Sequence, residues 1–238
     1  MFFGGTMRKN KKVFSTELSY VFGIIILALG TSFMEAADFG VSMIVAPAYL
    51  LHLKISEFLP FFSFGMAEYC IQGLLLVLTA IIARRFSVSY LFSFVTAVLY
   101  GLTLDGFMLL IGLLPPAGFA VSVVYYIVGL LLCTAGISFF FHTYISPEAY
   151  ELFVIETANR FGININKVKL GFDASFLLLS ILLSFVFFGF GHFEGVKLGT
   201  IISAFANGLL ISVWTHIFEK IWRFEDKLPL RRIFRKES

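Results

Sequence analysis

Charged residues are scarce in this sequence, and cysteines are scarcer still. Asp, Glu, Lys and Arg make up 14% of the chain, well below the share of about 25% that is usual in soluble domains. A soluble domain of this size could not bury the apolar surface that remains, so we exclude that class. The two cysteines, Cys70 and Cys133, both lie inside apolar runs. We therefore expect no disulfide framework.

The sequence also lacks the short motifs that carry common catalytic chemistry. It contains no Walker loop, no dinucleotide fingerprint, no His-Glu-x-x-His and no Gly-x-Ser-x-Gly element. No two of the four histidines have the spacing of metal ligands. We therefore predict no cofactor, no metal site and no enzymatic activity, and nothing indicates a nucleic-acid partner.

Apolar residues dominate what is present, and they occur in long runs. Hydrophobic residues make up 59% of the chain, and 31 residues are phenylalanine. Runs of about 20 apolar residues have the length that a helix needs to cross a bilayer. The sequence therefore predicts an all-α, polytopic membrane protein that forms a single membrane domain over residues 1–238. The six predicted spans are Leu18–Glu35, Leu59–Ala83, Tyr90–Leu114, Gly118–Phe140, Ala174–Phe190 and Leu198–Phe218.

The basic residues predict how these spans are oriented. If both termini are cytoplasmic, every Lys and Arg except Lys54 and Lys197 falls in a cytoplasmic segment. Those segments are the N-terminal tail, the 84–89 turn, the 141–173 connection and a basic tail at 219–238. An excess of Lys and Arg on the cytoplasmic side is the rule for such proteins. We interpret the first run as an uncleaved span, not as a signal peptide, with either Met1 or Met7 as the start.

Two shorter segments fit neither a span nor a plain loop. The segment Asp38–Ile55 is apolar but short, and Pro47 interrupts it, which indicates a re-entrant or interfacial helix on the outer side. The segment Ser146–Asn164 starts with Ser-Pro and carries acids in its first turn, as helix starts do. Its apolar residues recur at spacings of three and four, so we predict an amphipathic helix on the cytoplasmic side. That stripe consists of Tyr150, Phe153, Val154 and Ala158.

These two segments suggest an internal repeat. The pattern Gly-x-Ser-Phe precedes the first segment at Gly30–Phe33 and the second at Gly136–Phe139. A span follows each segment, and the last spans share Gly-Leu at Gly101 and Gly208. We predict two repeats, residues 18–114 and 118–218, although chance similarity remains an alternative. Because each repeat has three spans, the second would enter the membrane upside down, as in secondary transporters.

Four short elements resemble those of a known group of proteins. They are Ala36–Ser42, which ends in Gly-Val-Ser, Gly101–Asp105 with the form G-x-x-x-D, Lys169–Asp173 with the form K-x-x-x-D, and the Gly199-Thr200 pair that starts the last span. Together they resemble the YczE/YyaS/YitT-like bacterial integral membrane proteins over roughly residues 20–215. The resemblance implies a bacterial cytoplasmic-membrane protein and no defined substrate. This chain has Met43-Ile44-Val45 where that family often has Pro-Trp-Asp.

Polar residues inside predicted spans are the candidates for function, because charge is costly in a bilayer. We expect these residues to bind a substrate or ion, with structural hydrogen bonding as the alternative for each. Asp105 is preferred to Glu68 because it lies in an element that resembles the family's. The candidates are Asp105, Glu68, Gln72, Thr200, Ser203 and Asn207.

Two functions are compatible with these features. The first is a membrane transporter for an unknown small molecule or ion, coupled to protons or sodium, which the inverted repeat and the buried acids favour. The alternative is a non-transporting membrane protein that supports a biosynthetic or signalling complex. The lipid bilayer is a partner in both cases, and a homo-oligomer is compatible with either. The two readings differ in whether the polar candidates converge on one cavity.

Overall fold

The computed structural model describes residues 11–114, 118–146, 148–189 and 194–229, which are helical apart from one short ribbon. Within these ranges six helices are long and apolar enough to cross a membrane, and two helices are shorter. The long helices confirm the prediction of a multi-pass membrane protein. The helices are α1 Thr16–Ala37, α2 Ala46–Ser56, α3 Phe64–Ala83, α4 Val88–Gly112, α5 Phe119–Phe140, α6 Ala149–Phe161, α7 Ile165–Phe188 and α8 Leu198–Ile221.

Serine side chains set the first residue of three long helices. Each hydroxyl accepts a hydrogen bond from a backbone N–H of the first turn, which a helix cannot satisfy internally. Ser63 does this at α3, so that helix begins at Phe64 and not at the predicted Leu59. The three bonds are Leu18 N–H to Ser15, Met66 N–H to Ser63 and Ser89 N–H to Ser87.

The largest boundary error concerns α7, which begins at Ile165 and not at Ala174. Its first turns contain Lys167, Lys169 and Asp173, which lowered the hydropathy of a segment that is nevertheless helical. The Lys169 ammonium lies 3.4 Å from the Asp173 carboxylate one turn later, a pairing that helices favour. Some predicted features lie outside the described residues. They are Met7, the Pro115-Pro116 hairpin, Pro147, Phe190 and the tail beyond residue 229.

Helices α1 and α5 cross in antiparallel orientation and pack most extensively of all pairs. Glycines make this approach possible. A methyl group added to Gly30 would lie 2.6 Å from the backbone nitrogen of Cys133, and one added to Gly136 would lie 2.7 Å from that of Leu27. Small residues at such crossings let helix backbones approach closely in membrane proteins. The two helices therefore form the centre of the bundle.

Both short helices pack against the long helices. Helix α2 contacts α3 and α7, whereas α6 contacts α3, α4 and α7. The predicted apolar stripe of α6 is confirmed: Tyr150, Val154 and Ala158 are buried, and Phe153 packs against the same cluster. The first residues of α6 therefore meet the side of α3.

A two-stranded parallel ribbon, which the sequence analysis did not predict, joins the two ends of the described chain. Strand β1, Lys12–Ser15, pairs with strand β2, Trp222–Glu225. Since β1 leads into α1 and β2 follows α8, the ribbon brings the start of α1 and the end of α8 together. The Glu17 carboxylate reinforces this contact by accepting hydrogen bonds from the backbone N–H of Leu228 and the hydroxyl of Tyr144, both at 2.8 Å.

The outward surfaces of the long helices are apolar. Large hydrophobic side chains such as Leu74, Leu109, Leu178 and Phe205 are more than half exposed. A soluble protein rarely exposes so much contiguous apolar surface, whereas lipid chains cover it in a bilayer. Polar side chains that are buried therefore lie between helices, where they can contact one another.

Candidate functional site

A cavity of about 70 Å³ lies where several helices meet in the interior of the bundle. Residues from the middle of α1, α4 and α5 form one part of its wall. The residues that precede α2 and those that begin α6 form another part. The walls are mostly apolar, with few polar groups. The lining includes Leu27, Thr31, Met34, Ser42, Ile44, Val45, Tyr100, Cys133, Ile137, Phe140, Phe141, Glu148, Tyr150, Glu151 and Asn207.

The hydroxyl groups of Thr31 and Tyr100 bridge α1 and α4 at this wall. Their oxygen atoms are 3.0 Å apart, and the Thr31 hydroxyl is 3.1 Å from the carbonyl oxygen of Leu27. Buried hydroxyl groups are normally hydrogen-bonded, and these two satisfy each other. They therefore contribute polarity to the wall without presenting an unsatisfied group.

Glu148 is the acid that the wall presents to the cavity. It directly precedes α6, its side chain is nearly buried, and its Oε1 has no hydrogen-bond partner among the described residues. Burial raises the pKa of the Glu148 carboxyl group, because desolvation disfavours the charged form. The negative charges of Glu151 and Glu68 act in the same direction, whereas the Lys169 ammonium opposes them. Glu148 can therefore gain or lose a proton or a cation at the cavity.

Glu68 and Gln72 lie behind this wall and hold the start of α6. The Tyr150 hydroxyl donates to Glu68 Oε2 at 3.0 Å, and the Ala149 backbone N–H donates to Gln72 Oε1 at 3.3 Å. The Gln72 amide also donates to Glu68 Oε2 at 3.3 Å. Both side chains on α3 are fully buried, and Glu68 Oε1 has no partner among the described residues. Glu68 is thus connected to the cavity through Tyr150.

Asp105 lies at a different place. Its carboxylate accepts the Ser63 hydroxyl at 2.6 Å and the Gly65 backbone N–H at 2.8 Å. Ser63 is the residue that caps α3, so Asp105 supports the first turn of that helix. It does not line the cavity.

Of the three predicted residues on α8, two lie away from the cavity and one lines it. The Thr200 hydroxyl donates to the carbonyl oxygen of Val41 at 2.8 Å, and the Ser203 hydroxyl donates to that of Thr200 at 2.9 Å. The first bond anchors the segment before α2 to the start of α8, and the second lies within the first turns of α8. Asn207 lines the cavity instead, and its Oδ1 has no partner within the described ranges. Of the six predicted residues, the structure brings Asn207 to the cavity and Glu68 and Gln72 to the layer behind it.

The sequence analysis missed Glu148, Tyr150 and Tyr100 as functional residues. Glu148 looked like an ordinary acid of a helix first turn, and Tyr150 belonged to an apolar stripe. Only the packing of α6 against α3 shows that both face polar partners. A signal was present nevertheless, since Glu148 lies in the first turn of the predicted amphipathic helix, next to the stripe that contains Tyr150.

The volume and the polar groups limit what the cavity can hold. A site of about 70 Å³ has room for a few water molecules or a small ion but is well below the roughly 300 Å³ of drug-sized pockets. Within the described residues, no group of three or more His, Cys, Asp or Glu side chains could hold a metal ion. The arrangement therefore suits proton exchange and the binding of one small polar group.

Comparison with known proteins identifies a family. The model of the family of unknown function DUF6198 matches residues 14–216, and these residues include every helix from α1 to α7, most of α8 and the cavity. No curated protein and no solved structure matches the chain. Because the match covers most of the sequence, the chain belongs to the DUF6198 family.

Proposed function

We propose that this DUF6198 protein is a bacterial small-solute transporter, related to the YczE/YitT-like proteins, and that its substrate site is the cavity beside Glu148. The fold would consist of two inverted repeats, α1–α4 and α5–α8, each with three long helices and one short re-entrant helix. The observation that carries this proposal is the pairing of helices. Substrate sites of secondary transporters commonly lie between such repeats.

The helix contacts support the repeat. If α5–α8 correspond in order to α1–α4, each contact should have a counterpart in the other half. Helix α1 packs against α4 as α5 packs against α8, α2 against α3 as α6 against α7, and α3 against α6 as α7 against α2. The glycine crossing obeys the same exchange, since Gly30 meets Cys133 and Gly136 meets Leu27. The correspondence is partial, because the extensive contact between α3 and α4 has no counterpart of similar extent between α7 and α8 in the described residues.

The short helices support a re-entrant arrangement. Val45 precedes α2 and Glu148 precedes α6, and both line the cavity together with Thr31, Tyr100 and Cys133. Tyr100 lies in the middle of α4, and Thr31 and Cys133 lie about two turns before the ends of α1 and α5. A helix that lay flat at a membrane surface would not place its first residues there. In a membrane, irregular backbone at such a depth is tolerated where it lines a cavity.

The proposed orientation places both termini in the cytoplasm. The distribution of Lys and Arg supports it, and the β1–β2 ribbon keeps the start of α1 close to the end of α8. Reporter fusions after Arg85 and after Ser238 should give a cytoplasmic signal, and a fusion at Pro116 should give an external one. A cytoplasmic signal at Pro116 would refute this orientation.

We favour protons over sodium as the coupling ion. Thr200 and Ser203 were the hydroxyl groups that could have completed a sodium site beside an acid. Both donate to backbone carbonyl groups at 2.8 and 2.9 Å instead. The acids near the cavity, Glu148 and Glu68, each keep one carboxylate oxygen without a partner among the described residues. Such groups can carry a proton while the cavity is exposed to alternate sides.

Reconstituted protein tests the proposal. Purified protein in liposomes that contain a pH-sensitive dye is challenged with a panel of small metabolites and ions, one at a time. A transporter coupled to protons should change the internal pH with at least one solute, and Glu68→Gln should abolish this response. Glu57→Gln is the control, since Glu57 pairs with Lys54 at the surface. If no solute gives a response in well-folded protein, the transport proposal is wrong.

The small size of the cavity favours one alternative. A site of about 70 Å³ would also be found in a membrane protein that supports a biosynthetic or signalling complex without moving a solute. Such a protein should purify with another protein from its native membrane and show no response in liposomes. Transport by the isolated protein would exclude this role as the sole function.

A further inference from the structure

We infer that the cavity binds a small primary ammonium group, either the ammonium ion itself or a short alkylammonium. This inference rests on the proposed function, because it names the substrate class of the same site. Three properties of the wall carry it: the hydrogen-bonding atoms that lack partners, the balance of charge and the apolar lining.

The wall atoms that lack partners are acceptors. Glu148 and Asn207 line the cavity, and Glu148 Oε1 and Asn207 Oδ1 have no hydrogen-bond partner in the described parts of the chain. Among the other polar side chains at the wall, Thr31 pairs with Tyr100 and Tyr150 pairs with Glu68. Ser42 also lines the cavity, and a hydroxyl group can donate or accept. A buried acceptor that stays unsatisfied is costly, so the matching occupant is a donor. An ammonium group has donor hydrogens and no acceptor.

The charge around the cavity is also negative on balance. Glu148 and Glu151 line it, and Glu68 lies behind Tyr150. One basic group is near these acids in the described structure, the Lys169 ammonium, which lies 3.8 Å from Glu151 and 3.4 Å from Asp173. The helix N-termini at the cavity add only about half a positive charge each. When the acids are ionised, the site therefore attracts a cation and repels an anion.

The rest of the lining discriminates between cations. A hard metal ion such as sodium needs a shell of several oxygen ligands, and this wall supplies few that are free. Leu27, Met34 and Ile137 provide aliphatic surface beside the two acceptors instead. A primary ammonium group has three donor hydrogens and does not need a complete shell of oxygen ligands, so two acceptors can orient it while an attached methyl or ethyl group contacts the aliphatic wall. The volume of about 70 Å³ excludes larger amines in this conformation.

Ligand binding to the purified protein tests this inference separately from transport. Binding of methylammonium chloride is measured by calorimetry and by the shift of the thermal unfolding midpoint, with sodium chloride, tetramethylammonium chloride and sodium acetate as comparison ligands. We expect methylammonium to bind, and tetramethylammonium, which has no donor hydrogen, to fail. Binding of acetate without methylammonium would overturn the inference, as would equal binding of sodium and methylammonium.

The pH dependence gives an independent result on the unmodified protein. A proton and an ammonium group compete for the same carboxylate of Glu148, so methylammonium should bind more tightly as the pH rises from about 6 to 8. An anion that requires a protonated acid would show the opposite trend. The titratable and charged groups that act on Glu148 or its neighbours are Glu151 and Tyr150 on α6, Glu68 on α3, Lys169 on α7, Tyr20 on α1, Tyr100 on α4 and Cys133 on α5.

Variants at the two unpartnered acceptors test whether these atoms bind the ligand. Glu148→Gln should weaken methylammonium binding by about tenfold or more and remove its pH dependence. Glu156→Gln, on the same helix and paired with Arg85 at the surface, should bind as the unmodified protein does. If Glu148→Gln does not fold, Asn207→Leu removes the other free acceptor and should weaken binding in the same direction. Unchanged affinity in a folded Glu148→Gln or Asn207→Leu protein would overturn the inference.

The binding and transport results can differ. Tight methylammonium binding without any flux in liposomes would refute transport and leave the ligand class intact. Flux of an acid or sugar without methylammonium binding would refute the ligand class and leave transport intact. Each experiment therefore addresses one of the two claims.

Discussion

The two short helices occupy comparable places in the bundle but are anchored by different chemistry. Helix α2 follows Val45, has Pro47 in its first turn, and buries Ala46 beside apolar residues of α7. Helix α6 follows Glu148 and is held through hydrogen bonds from its first two residues to α3. The acids at the cavity, Glu148 and Glu151, thus come from the start of α6, and α2 contributes none. Similar packing therefore does not require similar chemistry, and only one of the two helices brings acids to the cavity.

The largest effect should occur at the α1–α5 crossing, where the two proposed repeats meet. Gly30→Ala and Gly136→Ala each add a methyl group less than 3.0 Å from the backbone of the partner helix. We expect each to lower the free energy of unfolding by about 2 kcal/mol, because overpacking of close contacts costs 1–3 kcal/mol. Unfolding in detergent measures this.

The control for the crossing uses two glycines that have free space around their Cα atoms. Nothing lies within 4 Å of a methyl group added to Gly106 or Gly208. Alanine at these positions should leave stability unchanged or raise it by at most about 1 kcal/mol. Equal losses at all four glycines would show that the close crossing is not the cause. Strongly unequal losses of stability for Gly30→Ala and Gly136→Ala would contradict the proposed correspondence between the two halves.

A smaller effect should distinguish the two short helices. Tyr150→Phe removes the hydroxyl that donates to the buried Glu68 at 3.0 Å, which should cost about 1–3 kcal/mol of unfolding free energy. Tyr49 of α2 is the matched position, since its hydroxyl reaches Glu35 only at 3.5 Å. Tyr49→Phe should therefore cost about 0.5 kcal/mol or less. If both changes cost the same, the contrast between a polar and an apolar anchor is wrong.

Asp105→Asn separates an acid that caps a helix from acids at the cavity. The change removes one of two charge-assisted bonds to Ser63 and Gly65, so stability should fall by about 1 kcal/mol. Ligand binding and its pH dependence should stay unchanged. Thermal unfolding and calorimetry on the same sample check both statements. A loss of binding without a loss of stability would restore Asp105 as a site residue.

The smallest effects should lie at the ends of the short helices that are remote from the cavity. Glu156 pairs with Arg85 at 3.1 Å, and Glu57 pairs with Lys54 at 2.7 Å. Both pairs are partly exposed, so Glu156→Gln and Glu57→Gln should each cost about 0.5 kcal/mol or less. If Glu156→Gln lowers the free energy of unfolding by more than about 2 kcal/mol and Glu57→Gln does not lower it, polar contacts stabilise α6 along its whole length and not only at its start.

Several elements were predictable because they depend on local properties of the sequence. Runs of apolar residues predicted the six long helices, and spacings of three and four predicted the buried face of α6 around Val154. Glu68 and Gln72 stood out as polar residues in an apolar run. The start of α7 was not predictable by hydropathy, since Lys169 and Asp173 belong to the helix but resemble a loop.

Contacts between residues far apart in the chain could not be predicted from the sequence. Glu68 and Asp105 looked alike as acids inside spans, yet one anchors α6 and the other caps α3. Their difference depends on which helix lies opposite, and a single sequence does not specify this. The β1–β2 ribbon was not predictable for the same reason, because its strands lie at opposite ends of the described chain.

The apolar runs were enough to predict that this chain crosses a membrane several times, because the bilayer demands long apolar helices whatever their neighbours are. The lengths of the shorter segments and their turn residues also predicted which helices are short. Where the acids lie relative to the cavity depends instead on how the helices pack. Packing of α6 against α3 turned Tyr150 into a partner of Glu68 and left Glu148 facing a cavity with one unsatisfied oxygen. The physical reason is that a buried polar group takes its role from the atoms within hydrogen-bonding distance, and these come from distant parts of the chain.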